Sequence, residues 1–173
     1  MKELLIKLKT CQKALEWVGD KTWEEIYKTC HRGDWLLWLH YRTNKKDLKL
    51  RTLAKGHCAN TVRYLMKDKR SLKAVDTAIA YGEGRATRAE LDSVCAAAAA
   101  AGDADDAYVA VYAAYAAYSA AAYDAVNASV YAAYASDAKI KNQQETADIV
   151  RKYIPIELWN TQKMIDKLKN QII

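Results

Sequence analysis

A single proline and six glycines are spread through 173 residues, and this scarcity of chain breakers constrains the fold more than any other feature. Sandwiches and barrels need a turn about every 8–12 residues. A chain that can seldom turn must use long elements, and here those elements carry helix signals. Thr22-Trp-Glu-Glu25 and Thr87-Arg-Ala-Glu90 are capping boxes, in which threonine and glutamate satisfy the free N–H groups of a helix start. Gly19, Gly33 and Gly102 stand where helices should stop, and Asp34 and Ser71 suit N-caps. Helices are predicted over 3–18, 23–31, 35–43, 47–68, 71–82, 88–101, 104–138, 139–153 and 156–171, with the junction at 138 weak. The expected fold is all-α, a single compact domain of about eight or nine helices, with enough core to need no staples.

The segment Trp35-Leu-Leu-Trp-Leu39 is apolar on every side, so the helix that carries it should be central, with Trp35 and Trp38 largely buried. Over 47–68, Leu50, Leu53, Ala54, Cys58, Val62 and Leu65 form one stripe, while Lys49, Arg63 and Lys67 fall opposite. Residues 96–138 are low-complexity, with 22 alanines in 43 positions. Alanine is the best helix former, so this reads as a long Ala/Tyr-rich helix. Tyr112, Tyr123 and Tyr134 are 11 residues apart and stack on one face of it.

Net charge is +6, unevenly placed. Residues 89–138 contain no Lys or Arg and seven acids, leaving +13 for the remainder. Phenylalanine is absent, whereas there are 12 tyrosines and 5 tryptophans, so every aromatic side chain has a polar handle. The four cysteines form no C-x-x-C pair and read as reduced, buried thiols. Lys7 and Lys9 break the apolar run at the N-terminus, which does not read as a signal peptide. Residues 107–123 are uncharged but mostly Ala and Tyr, too weakly apolar for a membrane span. The expected location is cytoplasmic.

Four blocks resemble a known family. Cys11-x-x-Ala-Leu-Glu-Trp17 is followed by a capped helix leading to Cys30-His-Arg-Gly-Asp-Trp-Leu-Leu-Trp-Leu39. Then come the Ala/Tyr repeat and Ala147-Asp-Ile-Val-Arg-Lys-Tyr-Ile-Pro155. Together, over about residues 8–155, they resemble the alanine-rich immunity-five-like family, to which an immunity role in bacteria and their phages is ascribed. The resemblance implies an all-α, non-enzymatic protein that neutralises something in a conflict between genomes. It divides the chain into an immunity-like domain over 1–155 and a C-terminal amphipathic helix over 156–173 packed on it.

Motifs with chemical meaning are few. Arg32-Gly33-Asp34 reads as a helix stop and a cap rather than an adhesion signal. Cys30-His31, His40 and His57-Cys58 have the wrong spacing for a zinc site, so no metal and no cofactor is expected. No nucleophile elbow, zincin motif or phosphate loop is present, and Glu24, Glu25, His31 and Asp34 are the nearest approach to an acid–base group. The strongest charge signal is the run 42–73, with 11 bases against Asp47 and Asp68. Arg42, Lys45, Lys46 and Lys49 cluster at its start, with Arg51 next. Arginines there could grip carboxylate or phosphate bidentately.

The sequence therefore predicts a neutralising protein that binds an acidic partner through Arg42, Lys45, Lys46, Lys49 and Arg51, with the exposed aromatics Tyr41 and Tyr64 and with His57 beside them. One alternative is an anti-defence sponge holding a phosphorylated, cyclic-nucleotide-like signal in a basic–aromatic pocket. Another is a helical scaffold that forms homo-oligomers. Sequence-specific nucleic-acid reading is not expected, since no helix-turn-helix, zinc-finger or RNP signature occurs.

Overall fold

The structure, a computed structural model, describes residues 1–44, 46–66, 68–102 and 136–169. Among them the chain is all-α and contains no strand. The helices are α1 (Lys2–Lys7), α2 (Gln12–Val18), α3 (Trp23–Thr29), α4 (Gly33–Thr43), α5 (Leu48–Asn60), α6 (Lys69–Gly82), α7 (Arg88–Gly102), α8 (Ser136–Tyr153) and α9 (Thr161–Lys169). Short 3-10 turns lie at Arg63–Leu65 and Ile156–Leu158. The expected 104–138 helix and its tyrosine stack lie almost wholly outside the described residues, whereas α8 runs through the weak junction at 138 unbroken.

Both capping boxes form. The Thr22 hydroxyl accepts from Glu25 N while Glu25 accepts from Thr22 N, and Thr87 and Glu90 do the same. Two other expected caps are corrected. Ser71 lies inside α6, which is capped by Asp68 through Arg70 N at 2.7 Å. Asp34 is inside α4, and both its oxygens are taken by Arg32. Gly33 does not end a helix but begins α4, where it lets α8 approach.

Two hydrophobic clusters share α5. The first joins α1–α4 to α8 and the tail, with Leu36, Leu37, Leu39, Val150, Ile154 and Trp159 buried. The second lies between α5, α6 and α7, around Val62, Val75, Ala78 and Leu91. Helix α4 is thus central as expected, but Trp35 and Trp38 are only half-buried; its leucines take the core side and its indoles line a cavity at the edge. The tail is integral to the first cluster, because Trp159 is buried against Trp23 at 4.9 Å between ring centroids.

Helix α5 departs furthest from expectation. Its second side is covered where Gly82 of α6 meets Leu53 so closely that a β-carbon at 82 would stand 2.4 Å from the Leu53 β-carbon. Arg51 and Lys55, each two residues from Leu53 and so on the opposite face of α5, are buried as well, although they belong to the basic run 42–73.

Candidate functional site

The pocket begins with a break the sequence does not advertise. The expected 3–18 helix is two helices, because Lys9 adopts a left-handed backbone with φ 59°. Lys9 N–H donates to Ile6 O at 2.9 Å and Thr10 N–H to Leu5 O at 3.0 Å, which closes α1 in a Schellman-type turn usually made with glycine. A lysine in this conformation costs roughly 1–2 kcal/mol. The turn swings α2 across the face of α4 and leaves a cavity of about 460 Å³ between α1, α2, α3 and α4.

Its walls are indoles. Trp17 of α2 lies 5.9 Å from Trp35 of α4, with His31 against both. Trp38 follows Trp35 by three residues, so both fall on one side of α4 and line the same cavity. Val18, Ile26, Leu36 and Leu39 make a buried apolar floor. Lys9, Thr10 and Cys11 line the side made by the α1–α2 turn. The Thr10 hydroxyl is closed off from solvent yet has no hydrogen-bond partner among the described residues.

Cations surround the indoles. Arg32 lies 4.7 Å over Trp35, Lys21 4.8 Å over Trp17 and Arg42 5.7 Å over Trp38. Arg32 also holds Asp34 with two charge-assisted bonds of 2.7 and 2.5 Å, so the one carboxylate that lines the cavity among the described residues has its own counter-charge. Lys9 carries no such partner among the described residues.

Two cysteines, Cys11 and Cys30, line the cavity. Burial pushes the Cys30 thiol at its floor up to about 11, so it is protonated at neutral pH and a poor nucleophile. Cys11 is exposed and free, which corrects the expectation of four buried thiols. Among the described residues no three His, Cys, Asp or Glu side chains converge as a metal site would need. No described helix is long and apolar enough to cross a membrane.

The basic residues singled out in the sequence are brought together only in part: Arg42 and Lys46 line one open recess, and Lys49, Arg51 and His57 do not line it. Arg42 is half-buried and donates to Leu8 O at 3.2 Å, tying α4 to α1. Lys46 is exposed and borders that recess with Arg42, Asp47 and Asn160. Lys49 leans the other way, 5.9 Å from the Tyr81 ring. Lys45 lies outside the described residues. Arg51, placed on the surface by the sequence reading, is 4% exposed. Its guanidinium donates to Asn44 O and lies 5.5 Å over the ring of Tyr41, which is itself exposed. His57 stacks on Tyr153 at 4.2 Å and is a packing residue. Tyr64 is exposed beyond the far end of α5, a helix roughly 20 Å long at about 1.5 Å per residue. Farther along the run, Arg63 pairs with Asp76 and Arg70 with Asp68.

Sequence reasoning missed Trp17, Trp35, Trp38, Lys9 and Arg32 as a group. The available signal was the i, i+3 spacing of Trp35 and Trp38 in a chain without phenylalanine. No protein-family model matches the chain, and no curated protein or solved structure matches it significantly. The likeness to the immunity-five-like family therefore stands on the sequence blocks alone.

Proposed function

We propose that this chain is a non-catalytic capture protein that holds a small ligand in the tryptophan cavity. The observation that carries the reading is the convergence of Trp17, Trp35 and Trp38 on one cavity of about 460 Å³. That volume falls within the usual range for small-molecule sites, and an apolar floor with a few polar groups at the rim is their usual make-up. Indole walls offer stacking to a flat ring. The role is the sequestering one, moved from the basic run to the α1–α4 end of the molecule. Neutralisation by docking an acidic protein has less support, because Arg51 is buried and Lys46, Lys49 and Tyr64 face different surroundings. A setting in conflict between bacteria and phages follows only from the family resemblance.

Native mass spectrometry of freshly purified protein, followed by thermal-shift titration with nucleotides and aromatic acids, tests this reading. The expected result is one small-molecule adduct per chain, or a saturable rise in melting temperature, lost in the Trp35→Ala/Trp38→Ala variant. A chain that retains no small molecule, responds to none, and co-purifies in equal amount with an acidic protein would contradict it.

A further inference from the structure

Granting that the cavity is a ligand site, its electrostatics narrow what it takes. We propose that the ligand is a planar aromatic ring bearing one anionic group, and that Lys9 is the residue that reads the charge. Three observations converge on this. The indole faces already carry Lys21, Arg32 and Arg42, so a cationic ligand would meet a ring of like charge. Asp34, which could have favoured a cation, has both oxygens engaged by Arg32. Lys9 lines the cavity without a counter-charge among the described residues, and it stands where glycine would close the turn with no backbone strain.

A left-handed lysine at a helix C-terminus is a locally unfavourable choice, and such choices concentrate where a side chain must be delivered to a site. Glycine there would keep the turn and lose the ammonium group. With the ring seated in the cavity against its indole walls, an anion at the α1–α2 side meets Lys9, and the Arg32 guanidinium retains N–H donors beyond the two given to Asp34. Carboxylate, sulfonate and phosphate monoester share this chemistry.

Two probes with the same ring skeleton separate ring from charge: 8-anilinonaphthalene-1-sulfonate and its neutral relative N-phenyl-1-naphthylamine. In the parent both should bind once per chain, the sulfonate more tightly. Lys9→Gly should weaken the sulfonate about five- to tenfold and leave the neutral probe within about twofold, as expected for one lost charged contact. The same variant should melt about 2–4 °C higher, since the backbone strain is relieved, which shows that it is folded. Lys9→Arg should restore sulfonate binding. Displacement of the sulfonate by adenosine 5′-monophosphate marks a phosphate ester, and displacement by indole-3-acetate a carboxylate; either supports the proposal. If Lys9→Gly changes both probes alike, or neither, Lys9 does not read charge and the proposal fails while the cavity reading stands. If neither probe binds the parent, the cavity reading fails and takes the proposal with it.

Discussion

Gly33 and Thr146 meet where α4 crosses α8: a β-carbon on residue 33 would lie 2.6 Å from the Thr146 carbonyl carbon and 2.8 Å from its oxygen. Backbone rather than a flexible side chain is the obstacle, so the helices would have to separate. Gly33→Ala should therefore destabilise by about 1–3 kcal/mol or more, the usual cost of overpacking. Gly84→Ala serves as the control. Its residue has φ 81° with nothing near the added β-carbon, so its loss should be confined to the left-handed backbone, about 1–2 kcal/mol. Denaturant titration of both variants decides the point, and equal small losses would mean that α4 and α8 are not held this closely.

The five tryptophans should divide by position. Trp23 and Trp159 are 4% and 5% exposed, so replacing either with Ala should cost about 3–5 kcal/mol. Trp35 and Trp38 are half-buried beside the cavity, and each replacement should cost about 1–2 kcal/mol, in proportion to the smaller area withdrawn from water. Unfolding midpoints that rank Trp35 and Trp38 with Trp159 would place the indoles of α4 in the core.

Much of the architecture was legible in the sequence because it is fixed locally. Capping boxes at Thr22 and Thr87 use adjacent groups, and the leucines of α4 have no polar face to offer water. What was not legible depends on distant partners or on an exception to a rule. Lys9 breaks the first helix with a residue that carries no turn signature. Arg51 looks solvated until α5 is covered and Asn44 O is there to receive it. Asp34 looks like a cap until Arg32 claims it. Periodicity finds Trp35 and Trp38 apolar and cannot say that the surface they cover is left open by α2.

His40 gives the fold a pH dependence. It is fully buried, its ring nitrogens have no hydrogen-bond partner among the described residues, and it meets Trp159 edge-on at 4.8 Å. Burial pushes it down to about 4, the Arg51 guanidinium acts in the same direction, and Asp47, with Oδ2 3.7 Å from Nε2, opposes. Between the unfolded value near 6.5 and about 4, the unfolded chain binds a proton that the folded chain refuses. Stability is therefore complete above the unfolded value and falls as pH drops through that window, by about 2 kcal/mol between pH 7 and pH 5. His57, also pushed down by burial, adds to the fall. The difference between parent and His40→Leu isolates His40: the variant should lose markedly less stability over the same interval. Identical pH profiles would mean that His40 is accessible to protons in the folded state.

The cavity itself is tested most directly by the indole N–H signals in two-dimensional 15N–1H NMR, followed during titration with 8-anilinonaphthalene-1-sulfonate. All five tryptophans report. Trp17, Trp35 and Trp38 line the cavity, while Trp23 and Trp159 sit together in the core, where the Trp159 N–H donates to Ile154 O at 2.9 Å. The account predicts that the first three signals move together to a common saturation point while the other two stay within noise. Movement of Trp23 and Trp159 alone, or saturating binding that leaves Trp17, Trp35 and Trp38 unmoved, would contradict it.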